Sequence, residues 1–154
     1  MDIRQFARIN VLNLPVLQVG SRRDWPQRFF LYSDYHIIYV RRGLPGWFIL
    51  YDSGGMSTPD FTRCFAPPYK VQFGIAYPLQ RSLTSRTCAY HAVVFSLGYY
   101  SLAHDFDLEY VLGPELERLR HHIHGRRVPA IHTPVALDPD VRRALSPFRV
   151  VRLL

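Results

Sequence analysis

Lysine is almost missing from this 154-residue chain: of nineteen basic side chains, every one except Lys70 is arginine. Cysteine is nearly as scarce, with only Cys64 and Cys88. Two cysteines are too few for the disulfide framework of a small secreted domain, so the expectation is a reducing, intracellular setting. No apolar run approaches the roughly 18 residues that a membrane span needs, and no membrane partner is expected. The first 25 residues lack a basic stretch leading into an unbroken apolar core, so a secretory signal is not expected either. Internal repeats are absent, and charged residues make up 20% against 48% hydrophobic. That balance excludes disordered and coiled-coil classes and predicts one globular domain over 1–154. Twelve prolines and nine glycines predict many short elements rather than a helical bundle.

The net charge of +7 favours encounter with polyanions, and guanidinium forks suit phosphate oxygens. The arginines are scattered in pairs (Arg22-Arg23, Arg41-Arg42, Arg126-Arg127, Arg142-Arg143) rather than gathered in one tract. Such a distribution fits DNA contact through a basic surface and fits ordinary solvated surface equally.

Along the chain, residues 9–19 are apolar but interrupted by Pro15, which predicts an edge strand or extended arm. Residues 21–34 are polar and charged and predict a loop carrying Trp25 and the Phe29-Phe30 pair. YHIIYV at 35–40 and WFILYD at 47–52 flank a Gly/Pro turn and predict a β-hairpin. Both faces of both strands are apolar, so the hairpin belongs mid-sheet with cover on each side. Residues 56–70 predict a loop or a short helix near 60–65, and 70–77 another strand. CAYHAVVFSL at 88–97 predicts a short apolar helix capped by Thr84 or Ser85 and ended by Gly98. Pro114 opens a second helix with basic residues crowding its last turn, and Asp138-Pro139 a third that ends near Ser146-Pro147. Residues 148–154 predict a final strand. Without regular βαβ alternation the fold class is α+β, a central mixed sheet flanked by helices.

A thiol nucleophile needs a base, a group to hold that base, and donors for the developing oxyanion. Cys88 sits where a helix begins, and the amide dipoles there favour a thiolate. A turn centred on Leu44 pairs Val40 with Phe48, Ile38 with Leu50, and His36 with Asp52. Directly opposed side chains share a face with Cβ atoms about 4.5–5.5 Å apart, within hydrogen-bonding range for imidazole and carboxylate. A one-residue slip would separate the two. Gln80, eight residues before Cys88 in a polar loop, is the fourth candidate.

The order His36, Asp52, Gln80, Cys88, carried by YHIIYV, WFILYDSGG and LQRSLTSRTCAYHAVVF, resembles the adenovirus-protease-like (adenain-like) cysteine proteases. The same clan contains the ubiquitin-like-protein-specific proteases. The resemblance covers residues 35–97. It implies a viral-type cysteine endopeptidase that matures capsid or core precursor proteins, with His36 as base, Asp52 orienting it, Cys88 as nucleophile at the start of a buried helix, and Gln80 with the Cys88 amide as oxyanion donors. Cleavage beside small residues in a narrow groove is implied as well. So are a nuclear or virion location and activation by DNA and a short viral peptide, the peptide forming a disulfide with Cys64; the chemistry itself needs no cofactor. Members of that family carry tryptophan after the histidine and glycine after the cysteine, where this chain has Ile37 and Ala89. Trp25 or Trp47 is expected to supply the missing groove wall. The alternatives are a protease for ubiquitin-like modifiers in the same fold and an arginine-rich nucleic-acid-binding virion protein with an inert Cys88.

His91, three residues after Cys88, falls on the nucleophile's side of the helix, and a packing or hydrogen-bonding role is expected for it rather than that of the base. His121, His122 and His124, beside Arg126-Arg127, form a cationic helix end. A metal site drawing on His104 or His132 lacks any supporting cysteine or carboxylate spacing, and none is expected.

Overall fold

Alternation of buried side chains in two neighbouring strands sets the architecture. In the computed structural model, which describes residues 2–20, 24–33, 36–55, 59–80, 86–125 and 134–153, a five-stranded mixed sheet runs in the order β1-β2-β3-β4-β5. The strands are β1 (Val16–Gln18), β2 (Arg28–Ser33), β3 (His36–Arg42), β4 (Trp47–Tyr51) and β5 (Lys70–Phe73). The two edge pairs, β1-β2 and β4-β5, are parallel and the central pairs antiparallel. Ile37 and Tyr39 enter one buried cluster, while Ile38 and Val40 enter another. The hairpin therefore is central and covered on both sides.

On the first face lie α1 (Ile3–Ile9) and α3 (Cys88–Ser96), with Phe6 against Phe30 and Phe95 against Tyr51. On the second face α2 (Pro59–Arg63) and the segment around Trp25 enclose Phe29, Phe48 and Phe65. The prediction of a loop over 21–34 fails at β2. Phe29 and Leu31 face one layer and Phe30 the other, so the strand has no polar face to announce it. Strand β5 is also shorter than predicted, ending at Phe73 before Gly74. A Cβ at Gly74 would lie 2.2 Å from the Tyr51 ring.

The hairpin turn is displaced from the predicted register. Val40 pairs with Leu50, and Arg42 with Phe48, a slip of two residues. Pro45 and Gly46 occupy the centre, with Trp47 N–H donating to Leu44 O at 2.8 Å and Gly46 at φ +84°. That is the Pro-Gly placement of a type II turn, whose third position needs positive φ. Because the slip is even, His36 and Asp52 keep a common face as diagonal rather than direct neighbours.

Helix α3 starts at Cys88 as predicted, with Thr87 at its N-cap making no side-chain capping bond; the expected caps Thr84 and Ser85 lie outside the described residues, as do Arg22, Arg23, Arg126, Arg127 and His132. Gly98 follows its C-cap Leu97. Pro114 stands in the first turn of α5 (Gly113–His124), as predicted, but α5 follows directly on α4 (Asp105–Asp107) and a π turn (Leu108–Leu112) rather than on a loop. Proline lacks an amide proton and crowds the carbonyl four residues back. The helix widens just before it, where Gly113 N–H reaches Leu108 O. The predicted Asp138 start is present: its carboxylate accepts from Asp140 N–H at 2.9 Å at the head of α6 (Pro139–Leu145). Strand β6 (Tyr99–Ser101) pairs antiparallel with β7 (Val150–Arg152) in a second, two-stranded sheet.

Candidate active site

Three segments end at the same edge of the structure. His36 is the first residue of β3, Asp52 follows the last residue of β4, and Cys88 opens α3. His36 Nε2 lies 2.6 Å from Asp52 Oδ1. The carboxylate is almost fully buried, and its Oδ1 also accepts the Gly54 N–H at 2.8 Å. Asp52 is thus fixed by its own turn before it meets the imidazole. The Phe61 ring, 5.7 Å from the His36 ring, packs against the imidazole from the α2 side.

With Nε2 engaged, Nδ1 is the nitrogen left for the sulfur; it is shielded from solvent and has no geometrically complete hydrogen bond among the described residues. The imidazole and thiol nonetheless lie close enough to shift each other's ionisation. Burial by itself would lower the His36 pKa, but hydrogen bonding to Asp52 and Cys88 and their charges outweigh it and raise it to about 9. For Cys88 burial pushes the thiol up, yet hydrogen bonding and charge from His36, with the Ile37 backbone N–H, bring it below the ordinary value. Both shifts favour a thiolate–imidazolium pair. The Ile37 amide is a contact that sequence reasoning missed; it follows from His36 opening a strand beside the helix start and has no residue signature. The pair is largely enclosed: the His36 side chain is 11% exposed and Cys88 6%.

Gln80 is tied to Ser53, the residue after Asp52. Its backbone N–H donates to Ser53 O at 3.2 Å, and the Ser53 hydroxyl donates to its side-chain Oε1. The amide plane is therefore oriented, its oxygen end toward Ser53 and its NH2 end away. Gly55, at φ +72°, closes this turn against Pro78, where a Cβ would stand 2.6 Å from the proline nitrogen. Only glycine allows the Asp52 turn and the segment leading to Gln80 to approach so closely. Ser53 was not singled out from sequence, although its place beside Asp52 in YDSGG was a usable signal.

Other predicted residues fall elsewhere. Trp25 stacks on Phe29 in the second core layer, and Trp47 lies beside the hairpin turn with Lys70 5.5 Å from its ring. Neither tryptophan walls the site, because both are held at positions remote from the strand ends that carry His36 and Asp52. Cys64 is a buried thiol whose Sγ approaches Asp60 O at 3.5 Å. Burial raises its pKa, the Gly20 backbone lowers it, and the Asp60 charge raises it, for a net rise. Such a thiol is slow in disulfide exchange. His122 contacts Asp140 at 3.1 Å and His124 contacts Val11 O at 3.0 Å, and the described residues contain no group of three or more metal-type ligands. Among them, too, no helix is long and apolar enough to cross a membrane. The chain matches no known family model and no curated protein sequence.

His91 is a packed residue. It is fully buried beside Phe95, neither ring nitrogen has a hydrogen-bond partner among the described residues, and desolvation drives its pKa down to about 4 against an opposing pull from Asp105. The unfolded chain titrates this ring near 6.5. Between those values the unfolded state binds a proton that the folded state refuses, so this contribution to stability is full above about 6.5 and falls as pH drops toward 4. The loss is about 3 kcal/mol. His91→Leu is expected to flatten that part of the stability profile in urea titrations at pH 7 and pH 4.5. An unchanged slope would show that the ring is not held neutral.

Proposed function

We propose that this chain is a cysteine endopeptidase acting on polypeptide precursors, with Cys88 as nucleophile, His36 as general base and acid, and Asp52 orienting the imidazole. The observation that carries this reading is the imidazole of His36, bonded to a buried carboxylate on one side and coupled to a depressed thiol on the other. A structural ion pair would need neither the third group nor a sulfur at a helix start.

In the proposed cycle, His36 holds the proton from Cys88, and the thiolate adds to the scissile carbonyl carbon. The imidazolium then protonates the departing amine, leaving a thioester on Cys88. His36 next takes a proton from water as the hydroxide adds to the thioester, and the proton returns to sulfur as the carboxylic acid leaves. The Gln80 NH2 group and the Cys88 backbone N–H receive the oxyanion; in comparable sites loss of one donor costs roughly 2.7–4 kcal/mol. Cleavage beside small residues, viral capsid or core precursors as substrates, and DNA or a short peptide as activators all extend the resemblance in residues 35–97. For activation through a disulfide, the buried Cys64 must first become exposed.

The test is incubation with a denatured-protein peptide library, with and without added DNA, and mass spectrometry of new termini. The native chain is expected to cut, Cys88→Ala to produce no new termini, and Cys64→Ala to keep basal cleavage. Equal cutting by Cys88→Ala contradicts the proposal.

A further inference from the structure

At the far end of α3 from Cys88, the first face of the sheet holds two arginines in a position that normally repels. Arg28 of β2 and Arg41 of β3 are directly opposed Cα partners, and like charges directly opposite on antiparallel strands destabilise the pair. Both are half-buried, and no carboxylate among the described residues forms an ion pair with either. They line a cavity of about 250 Å³ together with Tyr39 and Tyr51, which are almost fully buried, and with apolar walls that include Phe95 and Leu153. Among the described residues no acidic side chain lines it.

The polar groups there are arranged as donors. Arg41 Nε donates to the Tyr51 hydroxyl oxygen at 3.0 Å, and the Arg28 guanidinium lies close enough to the Tyr39 hydroxyl to oppose the upward push of burial on its pKa. A phenol oxygen that accepts from a guanidinium keeps its own O–H to donate onward. Each guanidinium also retains further N–H groups in its fork. The last turn of α3 presents its negative dipole end to this cavity through Ser96 and Leu97, and that accounts for part of the attraction for cations. It does not account for two opposed guanidiniums, one of which holds a tyrosine hydroxyl that keeps its own O–H to donate.

We propose that this cavity binds the dianionic head of a small phosphate monoester with a compact apolar body. The charge near −2 of such a group at neutral pH matches two guanidiniums, and its oxygens offer more acceptor directions than a monoanion. The apolar walls receive the rest of the molecule. This site is separate from the thiol and does not depend on the activity proposed for it.

Calorimetric titration of the full chain with phenyl phosphate tests it. Saturable one-to-one binding is expected, with benzoate weaker. Arg28→Gln and Arg41→Gln are each expected to weaken binding roughly tenfold or more, and Tyr51→Phe, which keeps the ring and the packing, to weaken it measurably. Without ligand, both arginine variants are expected to melt no lower than the native chain, since each removes the like-charge opposition. Binding indifferent to all three substitutions, benzoate binding as tight as phenyl phosphate, or a lowered melting temperature in both arginine variants overturns the proposal.

Discussion

Replacing His36 with alanine is expected to reduce kcat/KM for peptide cleavage by roughly 10⁴-fold or more. Two losses act together. The sulfur then feels burial without the imidazole that opposes it, so its pKa rises and little thiolate exists at neutral pH. The leaving amine also loses its proton donor, and an amide nitrogen departs poorly without one. Removing the ring leaves Asp52 buried with the Gly54 N–H as its remaining hydrogen bond described above, which costs stability. His36→Gln, which still donates toward Asp52, keeps the carboxylate partnered and separates lost chemistry from lost folding. Activity retained in either variant, with circular dichroism confirming the fold, would remove the base from the mechanism.

A comparable loss, about 10⁴-fold in kcat by analogy with the orienting carboxylate of serine-protease triads, is expected for Asp52→Asn. The amide keeps the shape of the carboxylate and can still accept the Gly54 N–H. It removes the negative charge that, with its hydrogen bond, holds the imidazole at about 9. The imidazolium then persists over a narrower range. The sign is definite: a pKa raised by Asp52 falls when Asp52 is neutralised, so the alkaline limb of the pH–rate profile moves toward lower pH. A kcat/KM profile from pH 5 to 10 reads both effects. An alkaline limb unmoved in Asp52→Asn would assign it to a group other than His36.

Much of this arrangement was legible in the chain, and the failures have physical causes. Cys88 at a helix start was visible because an apolar run of small and β-branched residues begins there and stops at Gly98. The central hairpin was visible because its strands are apolar on both faces. Its register was misjudged by two residues because Gly43, Leu44, Pro45 and Gly46 permit several turns, and hydrogen bonding selects among them. The His36–Asp52 contact survived that error because side chains repeat with period two. Strand β2 was hidden in a charged context, since Arg28 and its neighbours suggested loop while Phe29, Phe30 and Leu31 are all buried. Contacts made by backbone, such as the Ile37 amide on the Cys88 sulfur, carry no side-chain signature and needed three dimensions. So did Ser53, whose role in anchoring Gln80 depends on the turn that Gly55 allows.

The proposed cysteine-protease chemistry rests on the Cys88 sulfur and the His36 ring sharing one proton across a buried contact. The most direct measurement is the rate of iodoacetamide alkylation at Cys88, followed by peptide mass spectrometry from pH 4 to 10 in the native chain and in His36→Ala. Cys64 serves as the internal buried thiol. Cys88 is expected to react at neutral pH and below its ordinary thiol range, with a further rise near pH 9 as His36 loses its proton, and both features are expected to vanish in His36→Ala. A Cys88 profile that superimposes on that of Cys64, or that is unchanged by the His36 substitution, would contradict it.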